Sequence, residues 1–282
     1  MRDLDRAQRL CGSDVHVWVV NTETSAACIR ELSSTLSRDE KDRADSFKFD
    51  YLQRRFCVTR GLLRFFLGTY LATPPHEVEF SYGKRGKPFV AAPNEFQFNL
   101  AHCDDLTVYG FAFGCELGID VERIRDIEDI GAISRHFFCN EEAADLERVE
   151  FPKRLDSFFA CWTRKEAYIK ATGEGLSASL DSFRVAFRPN ETPRFMHIGN
   201  SASEARLWSL YNMSPRDGYA GALAFRSMRS LRVCPAQPLE QLLRQMADPN
   251  SFVDRSLVGC SVSEPLLATA EVDTEASNFG IT

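Results

Sequence analysis

The sequence predicts an α+β fold built as two comparable halves. Three observations predict it. Two long runs, from about residue 51 to 71 and from about 152 to 173, carry apolar side chains at helical spacing. Each run is accompanied by short β-branched and aromatic segments bounded by turn residues. This grammar occurs once on each side of Gly114-Cys115, as a pattern of elements without a sequence repeat. We divide the chain into an N-terminal half, 1–114, a C-terminal half, 115–235, and a mobile extension, 236–282.

In the first half, Val15-His16-Val17-Trp18-Val19-Val20 reads as a buried strand. Ser37 with Glu40 three residues on matches a capping box, so a helix starts at Arg38. The long helix from Tyr51 to Leu71 points Phe56, Leu63, Phe66, Leu67 and Tyr70 to a core, with Arg60 and Arg64 a turn apart on another face. Val78, Phe80 and Tyr82 alternate with polar residues, as a half-buried strand does. Gly83, Gly86 and Pro88 mark a turn that carries Lys84, Arg85 and Lys87. Phe96 to Leu100 and Leu106 to Phe113 pair across a turn at Cys103-Asp104-Asp105.

In the second half, Gly118 to Ile124 is a strand. Asp129–Phe138 and Glu141–Val149 are short helices, the latter capped by Asn140. Pro152 opens the second long helix and Gly173 closes it. Phe183–Phe187, Ala205–Tyr211 and Gly218–Phe225 are three further strands, and Leu239–Met246 a short amphipathic helix.

Composition excludes several classes. A chain that is 44% hydrophobic and 26% charged is globular rather than disordered, and a net charge of -6 argues against a general nucleic-acid binder. Nine cysteines stand singly with no C-x-x-C pair, which fits reduced thiols better than a disulfide or zinc framework. The first residues lack a signal-peptide core, and no run approaches the roughly 20 apolar residues of a membrane span. A cytoplasmic protein is expected.

The chemistry concentrates in two segments. Asp120 and Glu122 are two apart on one strand and share a face. Strand interiors disfavour carboxylates, and two on one face repel unless a cation lies between them. Either they hold a metal ion, or the face is exposed, or Arg123 or Arg125 compensates them. Trp162, Glu166 and Lys170 form one helical stripe. Glu166 and Lys170 are either an ordinary helix pair or a carboxylate for a metal or hydroxyl beside an ammonium for phosphate. Phe158, Phe159 and Ala167 belong to the core. A lone histidine such as His102 is more often structural than catalytic. Lys84, Arg85 and Lys87 are a solvated turn or a phosphate clamp. No P-loop, Rossmann fingerprint or nucleophile elbow is present, which counts against a nucleoside-triphosphate phosphotransferase.

Taken in order, Gly86-Lys87-Pro88, Asn99-Leu100-Ala101-His102-Cys103, Gly118-Ile119-Asp120-Val121-Glu122, Trp162-Thr163-Arg164-Lys165-Glu166-Ala167-Tyr168-Ile169-Lys170 and Gly173-Glu174-Gly175-Leu176 resemble the phosphopantetheinyl transferase family, in its larger, monomeric, surfactin-synthetase-activating type. The motifs span roughly Ser37 to Phe187, and the strand pattern extends to about Phe225. The resemblance implies two α+β halves related by a pseudo-twofold, with coenzyme A in the cleft between them. It implies magnesium-dependent transfer of the 4′-phosphopantetheine arm of coenzyme A to a serine of an apo acyl or peptidyl carrier protein, releasing adenosine 3′,5′-bisphosphate. Asp120, Glu122 and Glu166 would hold the magnesium, with Glu166 also the base for the serine. Lys170 would stand near the pyrophosphate, and Lys165 would act similarly but less directly. Arg55, Lys87 and His102 match positions that contact coenzyme A phosphates, and Arg43 is a looser match. The family's usual Ser-His-Ser is here Ala101-His102-Cys103, which removes one hydroxyl worth about 1 kcal/mol if it bonds phosphate. No nucleic-acid or membrane partner is implied.

Overall fold

Strand β1 (Asp14–Asn21) is an almost fully buried run that forms the spine of the first sheet in a computed structural model describing residues 14–90, 95–175, 179–199, 201–227 and 230–238. Two strands joined by a tight turn, β4 (Phe96–Cys103) and β5 (Leu106–Phe113), pair antiparallel, and β5 pairs antiparallel with β1. Asp104 supplies the left-handed backbone of that turn at φ 54°, a conformation its short polar side chain tolerates. Helix α1 (Ala26–Ser34), which the sequence reading did not identify, is capped by the Ser25 hydroxyl on the Cys28 N–H at 3.2 Å. Helix α2 (Arg38–Asp45) carries the expected capping box. Helix α3 (Asp50–Leu71) lays Leu62, Leu63, Phe66 and Leu67 against Trp18, Phe96, Tyr109 and Phe111 of the sheet. The hairpin β2 (Phe80–Tyr82) and β3 (Pro88–Val90) follows α3.

The second sheet begins with β6 (Leu117–Arg123). Helix α4 (Ile130–Phe137) is capped by Asp129. Helix α5 (Asn140–Glu147) starts one residue earlier than expected: Cys139, not Asn140, is the cap, in a box with Glu142. Glu142 reaches back to the Cys139 N–H at 3.1 Å, which leaves Asn140 inside the first turn. Helix α6 (Phe151–Thr172) ends at Gly173 with φ 71°. Strands β7 (Phe183–Val185) and β8 (Phe195–Ile198) form a small hairpin. The segment expected as one strand from Ala205 divides into α7 (Ala202–Ala205) and β9 (Ser209–Met213), because the Ser201 hydroxyl caps Glu204 and closes a helical turn first. Strand β10 (Tyr219–Phe225) lies between β6 and β9.

One strand departs from the division into halves. β11 (Ser230–Pro238) leaves the second half and pairs parallel with β1, giving a first sheet ordered β11-β1-β5-β4. Local pattern cannot reveal such a pairing. The expected helix at Leu239–Met246 and the rest of the extension lie outside the described residues. Each half thus has a sheet with a 22-residue helix on one face. The other faces pack together: Val15, Val17, Val19, Val108 and Ala112 meet Leu117, Ile119, Val121, Leu223 and Phe225. A single apolar interior therefore fixes the relation of the two halves.

Candidate active site

Gly118 decides how closely α6 approaches β6. A Cβ there would lie 2.1 Å from the Ala167 carbonyl oxygen and 2.2 Å from the Ala171 nitrogen, so only glycine permits this contact. The close approach brings the α6 stripe against the carboxylates of β6. Lys170 Nζ donates to Asp120 Oδ1 at 2.6 Å. Asp120 is almost completely buried, and its Oδ2 has no hydrogen-bond partner among the described residues. Burial raises the pKa of Asp120, opposed by Lys170. Burial also raises Glu122 and Glu166, and the neighbouring Asp120 charge raises both further. Asp120, Glu122, Glu166 and Lys170 therefore act on one another as a single electrostatic group.

Beside them opens a cleft of about 750 Å³ lined by both halves. Arg85 to Pro88, Asn99 and Leu100 come from the first half, and Trp162, Glu166 and Lys170 from α6. Lys87 spans the seam: its Nζ donates to the Ala171 carbonyl at 2.8 Å and the Leu117 carbonyl at 3.3 Å. Burial pulls its pKa down to about 8, resisted by Glu116. Arg85 bonds the Glu174 carbonyl across the same seam. His102 is exposed at the end of β4, yet the protein behind it lowers its pKa, and the Arg55 and Lys170 charges lower it further. It is therefore neutral near pH 7. Arg55 is thus near His102. Arg43 stands exposed on α2 over the Phe56 ring, 5.4 Å from its centroid, and does not line the cleft.

Lys165 is a correction. Its side chain is fully buried and does not line the cleft. Its Nζ meets Glu142 Oε2 at 2.7 Å and donates to the carbonyls of Leu180 and Phe183 at 2.8 and 2.6 Å. Lys165 and Lys170 are five apart, which sets them about 140° from each other around α6, so the two ammoniums leave the helix on different faces. The compensating arginine weighed for the β6 carboxylates is partly present: Arg125 reaches Glu122 at 3.4 Å but is 60% exposed, so the pair is weak. Arg123 pairs with Asp104 instead.

Among the described residues, no three His, Cys, Asp or Glu side chains are already gathered to hold a metal ion. The donor chemistry nevertheless fits a hard divalent cation: three coupled carboxylates, one with a buried unpartnered oxygen, and a lysine ammonium occupying the cationic position.

A family model described as the 4'-phosphopantetheinyl transferase superfamily matches residues 116–224. A second, described as 4'-phosphopantetheinyl transferase, N-terminal, matches residues 23–111. The chain is 34% identical over 218 residues to 4'-phosphopantetheinyl transferase HetI of a Nostoc species, covering 76% of this chain and 89% of that protein. The chain belongs to the 4'-phosphopantetheinyl transferase superfamily. A second relative of this transferase, 4'-phosphopantetheinyl transferase gsp of Aneurinibacillus migulanus, is 35% identical over 74% of this chain and 85% of its own. The solved holo-[acyl-carrier-protein] synthase of Thermotoga maritima shares 18% identity at a TM-score of 0.32, covering 40% of this chain and 64% of that one.

The sequence reading did not identify Gly118 as the reason the helix can reach the strand, nor the buried acid Glu142. Glu142 sits three residues after its cap, the capping-box spacing, which was a usable signal.

Proposed function

We propose that this transferase moves the 4′-phosphopantetheine arm of coenzyme A to a serine hydroxyl of an apo acyl or peptidyl carrier protein. The serine oxygen bonds to the phosphorus that carries the arm, the pyrophosphate bridge breaks, and adenosine 3′,5′-bisphosphate leaves. The observation that carries the reading is the buried Asp120 carboxylate, coupled to Glu122 and Glu166 and held by Lys170 at the edge of a cleft made by both halves.

Asp120, Glu122 and Glu166 would hold a magnesium ion, which when bound neutralises charge on the pyrophosphate. Glu166 accepts the serine proton; burial and its acidic neighbours raise its basicity toward that task. Lys170 turns from Asp120 to the phosphate oxygens and offsets the charge of the leaving group. Lys87 adds a cation, and neutral His102 binds phosphate oxygen by donating a ring N–H. Arg55 adds positive charge beside His102. Arg43 contributes only long-range attraction from its exposed position, and Lys165 takes no part. Cys57, Cys103, Cys139 and Cys161 are in no disulfide, which suits work in the reducing cytoplasm. No helix among the described residues is long and apolar enough to cross a membrane. We take the working unit to be a monomer because both sides of the cleft come from one chain.

The test is intact-mass spectrometry of a purified apo carrier protein incubated with this enzyme, coenzyme A and magnesium, with and without chelator. The expected result is a gain of one phosphopantetheinyl mass that chelation abolishes. Absence of the gain with several unrelated carriers would overturn the assignment.

A further inference from the structure

The two sheets meet edge to edge at β4 and β6 without joining into one ladder. The even-numbered residues of β6 and its flanks turn their backbone groups to β10, as the bonds from Ile124 N–H to the Gly218 carbonyl and from Arg226 N–H to the Glu116 carbonyl show. The odd-numbered residues therefore turn theirs toward β4. An open strand edge of this kind needs partners for its N–H groups. Side chains of β4 supply them. Asn99 Oδ1 accepts from the Ile119 N–H at 2.9 Å, and Cys103 Sγ accepts from the Arg123 N–H at 3.3 Å.

The spacing is four residues on both strands, so the two bonds share one register. They bracket the acidic pair. Ile119 immediately precedes Asp120, and Arg123 immediately follows Glu122. Cys103 does a second thing: its thiol donates toward Glu122 Oε2 at 3.9 Å. A clamp at each end of the five-residue stretch from Ile119 to Arg123 fixes its position laterally, and the thiol orients one carboxylate directly.

We infer that Asn99 and Cys103 are positioning residues that lock the edge of β6 and so fix where the Asp120 and Glu122 carboxylates stand. The inference rests on the proposed metal assignment. Neither residue needs to touch the ion. Groups that orient metal ligands from behind are worth about 10–100-fold in metal affinity.

The experiment compares the full-length protein with Cys103→Ala, Cys103→Ser and Asn99→Ala. Manganese binding is read by electron paramagnetic resonance in the presence of coenzyme A, and hydrogen exchange is followed across residues 117–124. The expected outcome for Cys103→Ala is an affinity lower by about tenfold at an unchanged melting temperature. Cys103→Ser, whose hydroxyl can both accept and donate, restores it. Asn99→Ala speeds exchange at Ile119, and Cys103→Ala does so at Arg123. Wild-type affinity and wild-type exchange in Cys103→Ala would overturn the inference, even if Asn99→Ala fails to fold. If the wild-type protein binds no manganese, the metal assignment is what fails, and the exchange rates still decide whether the clamp exists.

Discussion

Replacing Lys165 with methionine separates a structural lysine from a substrate-binding one. The side chain lies in a region with no solvent contact, and so does its partner Glu142. Methionine keeps the length and fills the space but removes the charge and the donors to Glu142, Leu180 and Phe183. Breaking one side of a buried ion pair costs about 3–5 kcal/mol, because the remaining charge is left uncompensated. Glu142 keeps two backbone partners, the N–H groups of Cys139 and Val185 at 3.1 and 2.8 Å, so the lower end, about 3 kcal/mol, is expected. That is a large share of a typical total of about 5–15 kcal/mol. With a urea m-value of about 3 kcal/mol per M, the midpoint falls by about 1 M. The assay is urea unfolding followed by far-ultraviolet circular dichroism, with the KM for coenzyme A measured on the folded variant. If unfolding occurs in two steps, the loss appears in the step that melts α5 and α6. A midpoint unchanged within error together with a KM for coenzyme A raised about tenfold would refute the burial argument and return Lys165 to the cleft.

Three further outcomes follow from the site. Lys170→Met removes the ammonium that occupies Asp120, so manganese should bind about fivefold more tightly without coenzyme A, while coenzyme A binds more weakly; calorimetric titration of each alone shows whether the two effects have opposite sign. Lys87 loses its proton as pH rises through about 8, so coenzyme A affinity should fall above that pH; Lys87→Arg stays charged and should flatten the profile, and an equal fall in both would remove Lys87 from phosphate binding. Gly118→Ala forces a methyl group into the α6 backbone, so stability should drop by about 1–3 kcal/mol in thermal melts and transfer should fall with it; an unaltered melting curve would contradict the close approach.

Much of this was readable from local pattern. The capping box at Ser37 and Glu40 placed α2, and the strand–turn–strand of β4 and β5 followed from alternation around a polar turn. The α6 stripe Trp162, Glu166 and Lys170 follows from helical spacing, and all three line the cleft. What the sequence hid was non-local. The counter-charge of Lys165 lies on a different helix, so no neighbour in the chain announces its ion pair. Lys165 does fall in the helical stripe of Phe158, Cys161 and Ile169, all buried, which is the one sign that it faces inward. Alternation in β6 put Asp120 and Glu122 on one face, but whether that face meets solvent or α6 depends on Gly118 and a helix some fifty residues away. Strand β8 and helix α7 are too short for periodicity to announce.

The parallel pairing of Asp14 to Asn21 with Ser230 to Pro238 has a consequence for how the chain matures. As the polypeptide leaves the ribosome, β1 emerges long before its outer neighbour, which is made only after the rest of the second half. Until then one flank of β1 is bare, a template for mispairing with another nascent chain. Closing that flank demands a contact between distant parts of the sequence, which makes it a slow step. Cutting the gene at Gly114 would therefore yield no self-sufficient first half. The fragment would carry a sheet lacking its border strand, and its apolar rear surface, made to face Leu117, Ile119 and Leu223, would be open to water.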